Sequence, residues 1–174
     1  MSFPLIETPR LILRAYTRED FPACLALWSD PEVMHFIGGP SSEEDSWARF
    51  MRIHGHWRLM GYGYWAVIER AGGRHIGQTG FLNVKRAIEP SLEGMPETGW
   101  SLARAWQGQG YANEAVGAML AWGDIHFGRV RMCCIIAPEN APSMRLAERN
   151  GFKRGPLTVY KDEPIVVLYR DPPG

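Results

Sequence analysis

The chain has 174 residues, 45% apolar and 22% charged, with 19 lysines and arginines balanced by 19 aspartates and glutamates. That length predicts one domain over 1–174, its core running from about residue 8 to 170, large enough to bury roughly two thirds of the unfolded surface. Zero net charge removes the basic footprint of most nucleic-acid binders, and neither a bilayer-length apolar run nor a leader-like N-terminus is present, so a cytoplasmic protein with no nucleic-acid or membrane partner is expected.

In chain order, Leu11 and Leu13 alternate with Arg10, Ile12 and Arg14 and predict a short opening strand. Thr17 is placed to cap a helix carrying Phe21, Cys24, Leu25 and Trp28, with Pro22 blurring its start and Asp30-Pro31 ending it. Gly38, Gly39 and Pro40 break the chain. Ser41, with Glu44 three residues on, predicts a capping box for a second helix bearing Trp47, Phe50, Met51 and Trp57. Tyr62 to Glu69 and Ile76 to Leu82 predict two antiparallel strands across the Ala71-Gly72-Gly73 turn.

Lys85 to Pro96 predicts a loop and Thr98 to Leu102 a strand. The helix that follows residue 110 places Ala115, Val116, Met119 and Trp122 on one side and stops at Gly128. Val130 to Ile136 is nearly continuously apolar, as in a strand buried on both faces. After Pro138 a short helix with Met144, Leu146 and Ala147 ends at a glycine cap, Asn150-Gly151, and strands around Leu157 to Tyr160 and Ile165 to Tyr169 close the chain.

Cys24, Cys133 and Cys134 are odd in number and two are adjacent, which suits reduced core residues better than disulfides or zinc ligands. The five histidines lack metal-ligand spacing, so no metal is expected. Cys133 and Cys134 lie on a buried strand without a neighbouring base, which also argues against a nucleophilic role.

The segment Gln107-Gly108-Gln109-Gly110-Tyr111-Ala112 runs from a strand into a helix and reads as a phosphate cradle. Glycines let the backbone approach a ligand, and the first amides of a helix point at whatever sits there, with about half a positive charge behind them. Asn113 stands where a dinucleotide fingerprint needs its third glycine, and no Gly-Lys-Ser/Thr tripeptide occurs. What remains is Gln-x-x-Gly-x-Ala, which by itself also fits a tight strand-to-helix connection.

Around this loop four stretches occur in order: Glu7-Thr8-Pro9-Arg10-Leu11, Asp30-Pro31-Glu32-Val33-Met34, Trp106 to Ala115, and Asn140 to Phe152. The combination resembles the GNAT superfamily of acetyl-CoA-dependent N-acetyltransferases over nearly the whole chain, most closely the branch of ribosomal-protein N-terminal acetyltransferases. The resemblance implies an α/β fold with a twisted mixed, mostly antiparallel sheet of six to seven strands and about four helices. It implies that Gln107, Gly108, Gln109, Gly110, Tyr111 and Ala112 hold the CoA pyrophosphate by backbone amides, and that backbone groups of Trp100, Ser101 and Leu102 hold the pantetheine arm. Asn140 matches a family position near the pantetheine, with Ser143 one helical turn on.

For catalysis, Glu97 is the candidate proton acceptor, its other reading being a solvated residue beside Pro96, and the Ser143 hydroxyl is placed to donate to the departing sulfur or simply to cap its helix. Carbonyl polarisation is assigned to a backbone N–H near Leu102. Arg145, Arg149 and Lys153 are candidates for the CoA 3′-phosphate, and Trp28, Phe36, Trp47 and Trp57 for an acceptor groove, against surface charge and core packing respectively. The expected activity is transfer of acetyl from acetyl-CoA to a primary amine, a protein N-terminal α-amine or a small molecule, by direct attack in a ternary complex, in a monomer or homodimer. The alternative is an acyl-CoA-binding sensor without turnover.

Overall fold

The computed structural model describes residues 3–174. Eight strands, β1 Ile6–Glu7, β2 Leu11–Arg14, β3 Tyr64–Glu69, β4 Arg74–Leu82, β5 Glu97–Leu102, β6 Met132–Ile136, β7 Lys153–Tyr160 and β8 Glu163–Arg170, follow the sheet order β1-β2-β3-β4-β5-β6-β8-β7. Five helices are α1 Phe21–Ser29, α2 Pro31–Met34, α3 Glu43–Met60, α4 Tyr111–Phe127 and α5 Ala141–Arg149. The sheet is mixed, with β5 and β6 parallel and the other reported pairs antiparallel.

The one strand and one helix beyond the expected count are β1 and α2. Two residues of strand and one turn of helix are too short to carry a period, so neither was readable from pattern. The α3 cap is displaced by one residue from the expected one: Ser42, not Ser41, accepts from the Asp45 amide at 3.1 Å, while Ser41 donates its own amide to Trp28 O at 2.8 Å. Both serines have an acidic residue three positions on, and the tie to α1 decides between them. Gly151, at φ +86°, ends α5 in the left-handed conformation expected of it.

The chain divides into two compact units. The first comprises 1–80 and 100–119. Its core takes Leu11 and Leu13 from β2, Trp28 from α1, Phe50, Ile53 and Trp57 from α3, and Trp65 and Val67 from β3. Phe50, Ile53 and Trp57 recur at spacings of three and four, which puts them on one helix face. Gly77 of β4 has no room for a side chain: a Cβ there would overlap the Ser101 carbonyl of β5.

The second unit comprises 81–99 and 120–174. Ile88, Leu92, Cys133, Ile165 and Val167 form one of its clusters. Arg170 of β8 donates to both oxygens of Asp124 on α4, at 2.6 and 2.8 Å, and to Asn150 O at 3.1 Å, so three elements share one guanidinium.

A polar group inside the first unit makes stability depend on pH. His75 lies 3.9 Å from Cys24 Sγ and against the Tyr16 ring, and burial drives its imidazole down from 6.5 to about 4, with Asp20 opposing and Arg14 reinforcing the fall. The unfolded chain binds this proton below about pH 6.5, whereas the folded chain refuses it until about pH 4. The contribution is therefore complete above pH 6.5 and lost as pH falls toward 4, by up to about 3 kcal/mol. Urea unfolding at pH 7 and pH 4.5 should show this loss, and His75→Gln should flatten it.

Candidate active site

The first unit carries the cradle. The strand β5 ends at Leu102, one turn of 3₁₀ helix spans Arg104–Trp106, and α4 begins at Tyr111. Gly108 at φ +73° and Gly110 at φ +83° adopt conformations that residues with a Cβ rarely enter. Alternating handedness of this kind turns successive amides toward one concave side, the geometry of an anion nest. The first helical bond runs from Glu114 N to Gly110 O at 3.1 Å. Among the described residues, the amides from Gly108 to Ala112 meet no protein acceptor.

Gln107 differs from its expected part in the cradle. Its amide donates to Arg104 O at 3.1 Å and its side-chain Nε2 to Leu102 O at 2.8 Å, so it pins the loop to the end of β5. Gln109 pins the same loop through Nε2 to Ala105 O at 2.7 Å. The two glutamines shape the turn, and the amides that follow face outward.

Sequence reasoning missed the brace on the cradle. Arg10 donates Nη1 to Gln109 O at 3.0 Å, pairs through Nε with Glu114 Oε2 at 2.7 Å, and lays its guanidinium 4.2 Å from the Tyr111 ring centre. Glu114 also accepts from the Arg10 amide at 2.9 Å and the Thr8 hydroxyl at 2.6 Å. Burial alone would push the Glu114 carboxyl up, but the hydrogen bonds from Thr8 and Arg10 hold it below the ordinary carboxylate range. Thr8, Arg10 and Glu114 all stand in motifs read from sequence, yet a pairing across about a hundred residues leaves no local signal.

Ser101 of β5 is buried, and its hydroxyl has no hydrogen-bond partner among the described residues. A buried unpaired hydroxyl is uncommon and fits a site whose ligand brings the missing partner. The other two expected β5 residues are Trp100, partly buried, and Leu102, buried. The end of β5 is also tied to α2: Arg104 donates to Asp30 Oδ2 at 2.9 Å and to Glu32 Oε1 at 2.5 Å. Of the aromatic candidates for an acceptor groove, Trp28 and Trp57 are core, whereas Phe36 and Trp47 are exposed.

The second unit carries Glu97, Asn140 and Ser143. Glu97 is not a solvated loop residue. It opens β5, is 9% exposed, and accepts from Arg86 Nε and Nη2, both at 2.6 Å. Arg86 lies 4.7 Å from the Tyr160 ring centre; burial is the largest single influence on its pKa and lowers it, but the hydrogen bonding and charge of Glu97 together with Tyr160 make the net shift upward. Both Glu97 oxygens are thus committed, and accepting a proton there competes with Arg86.

Asn140 Oδ1 caps α5 by accepting from Ser143 N at 3.2 Å, leaving its Nδ2 donors without a protein partner among the described residues. Ser143 lies partly buried on the first turn of α5. Burial pushes the Cys133 thiol to about 12 and raises Cys134 well above its ordinary value, so neither is a nucleophile at neutral pH. Arg145, Arg149 and Lys153 are exposed.

An amide nest at the start of a helix, fed by a strand of a mixed sheet, is an arrangement that suits an anion. The sequence profile described as Acetyltransferase (GNAT) domain matches residues 10–153. The uncharacterized N-acetyltransferase p20 of Bacillus licheniformis is 31% identical over 159 residues, covering 90% of this chain and 86% of that protein. An acetyltransferase from Agrobacterium tumefaciens superposes with a TM-score of 0.83 at 29% identity, covering 97% of this chain and 95% of that one. RimL, a ribosomal L7/L12 α-N-protein acetyltransferase solved with coenzyme A, shares the fold at TM-score 0.76 and 20% identity, covering 97% of this chain and 98% of that one. The chain belongs to the GNAT acetyltransferase family.

The brace and the nest make separable predictions for titration calorimetry with CoA. Gly110→Val forces a branched side chain into a left-handed position and onto Arg10, and should weaken CoA binding by roughly tenfold or more. Arg10→Ala should raise the KM for acetyl-CoA with little change in kcat, because the residue holds the loop and is not near the reacting bond.

Proposed function

We propose that the protein transfers the acetyl group of acetyl-CoA to a primary amine by direct attack within a ternary complex. The observation that carries this reading is the row of amides from Gly108 to Ala112 without protein acceptors, which suits a diphosphate. When bound, acetyl-CoA supplies the thioester whose carbonyl carbon the amine attacks, with loss of the thiol. Gly108, Gln109, Gly110, Tyr111 and Ala112 hold the diphosphate, and Gln107 sets the loop's angle to β5.

Backbone groups of Trp100, Ser101 and Leu102 hold the pantetheine arm in this reading. One observation supports it: the buried Ser101 hydroxyl has no hydrogen-bond partner among the described residues. Asn140 contributes its side-chain amide, and the Ser143 hydroxyl donates to the departing sulfur. A backbone N–H near Leu102 polarises the carbonyl.

Glu97 is the proposed proton acceptor, and its pairing with Arg86 shapes which acceptors suit the enzyme. A lysine-like amine is neutral in only about one molecule in 2,500 at pH 7 and leans heavily on a base. An α-amine, already about a tenth neutral, leans on it much less. Both oxygens of this carboxylate are engaged by Arg86, so the reading favours acceptors that lean least on a base, the α-amines.

The test is a thiol-release assay with acetyl-CoA across peptides, amino acids, polyamines and aminoglycosides. Acceptor-dependent release with α-amines ahead of lysine-like amines is expected. CoA binding without release for any acceptor would instead support a sensor. Glu97→Gln should lower kcat by roughly a hundredfold if the residue takes the proton; unchanged kcat would assign Glu97 to holding Arg86 alone.

A further inference from the structure

Arg49 of α3 is a charge without a counter-charge. It is partly buried, and its guanidinium lies 4.7 Å from the ring centre of the fully buried Trp28, yet it donates no hydrogen bond and enters no ion pair among the described residues. Burial lowers its pKa, and among its charged neighbours Arg52 lowers it further, whereas Tyr64, Tyr16 and Cys24 offer only groups that are neutral at pH 7. Unpaired charge away from water is costly, and proteins keep it where a ligand pays that cost.

Two further polar groups of the same helix pair lack acceptors or donors. The Trp28 indole N–H is buried with no acceptor, and the Ser46 hydroxyl, one turn before Arg49, is buried with no partner. Stacking one guanidinium face on an indole leaves its five in-plane N–H donors pointing outward, the fork that matches a planar carboxylate. The position belongs to the same unit as the expected acetyl end of the cofactor site: Trp28 stands two residues before Asp30, and Asp30 is held by Arg104 just past Leu102.

We propose that Arg49 reads a carboxylate on the acceptor, so that the enzyme acetylates amines that carry an acidic group. The proposal rests on the acetyltransferase reading and narrows its substrate class. A guanidinium fork matches the two oxygens of one carboxylate, and an α-amine with a nearby carboxylate joins both constraints in one molecule. The carboxylate is either the α-carboxylate of a free amino acid or the side chain of an acidic residue near a peptide N-terminus.

The full-length protein is assayed with acetyl-CoA and acceptors in matched pairs: free amino acids against their α-amides, and peptides bearing Asp or Glu near the N-terminus against the same peptides with Asn or Gln. The acid of at least one pair type should have the higher kcat/KM, by roughly ten- to a hundredfold, and the pair type that discriminates identifies the source. Arg49→Met should abolish the discrimination mainly through KM, leave CoA affinity unchanged, and leave Tm unchanged or raised because it removes an unpaired charge. Arg49→Lys, which keeps the charge and loses the fork, should lose most of the discrimination and covers the case in which Arg49→Met does not fold.

A second arm needs no turnover. N-acetyl amino acids at millimolar concentration should raise Tm of the wild type more than their amides do, and the difference should vanish in Arg49→Met. Equal kcat/KM for acids and amides, with both variants behaving like the wild type, overturns the subsite and leaves the acetyltransferase reading standing. No release with any amine, alongside an Arg49-dependent shift in Tm, keeps the subsite and overturns the transferase reading.

Discussion

Five consecutive main-chain amides, from Gly108 to Ala112, that meet no protein acceptor among the described residues are the feature on which the rest depends. Gly108 and Gly110 supply the backbone handedness, and the side chains of Gln107 and Gln109 anchor the loop to carbonyls behind it. Arg10 and Glu114 then clamp it from the turn between β1 and β2. Without that brace, a glycine-rich segment would lose its shape to conformational entropy, since glycine has the most freedom to lose. With it, the loop is held in one shape at the N-terminal end of the α4 dipole.

Arginine ion pairs support the expected catalytic residues in a similar way. In the second unit, Arg86 fixes both oxygens of Glu97, and Arg170 joins β8, α4 and the C-terminal cap of the helix that carries Asn140 and Ser143. In the first, Arg14 does the same for Asp20, with two bonds of 2.7 and 2.8 Å. Arg49 departs from this habit. Each of those other guanidiniums has a carboxylate, and a chain that pairs its enclosed arginines so consistently makes one unpaired member informative.

Much of the fold could be read in advance because it rests on local rules. The alternation around Leu11 and Leu13, the Gly72-Gly73 turn, the apolar run ending at Ile136 and the Asn150-Gly151 cap each act within a few residues, and each element stands within two residues of where its pattern put it. The glycine-rich loop between β5 and α4 was legible for the same reason. Pairings between distant segments were not: Arg10 with Glu114, Arg86 with Glu97, and Arg104 with Asp30 are set by tertiary contact, so the character of Glu97 as a buried, engaged carboxylate was invisible. The one-residue shift of the α3 cap has the same origin, a contact between Ser41 and Trp28 that no local pattern encodes.

The central claim is that backbone amides 108–112 grip the cofactor's diphosphate, and amide chemical-shift mapping by NMR during titration with CoA tests it most directly. The account predicts that Gly108, Gly110, Tyr111 and Ala112 show among the largest amide shifts, saturating together with a single affinity, while Gln107, whose amide is already bonded to Arg104, moves less. Saturable binding whose shifts leave residues 108–112 untouched, or no binding at all, would contradict it.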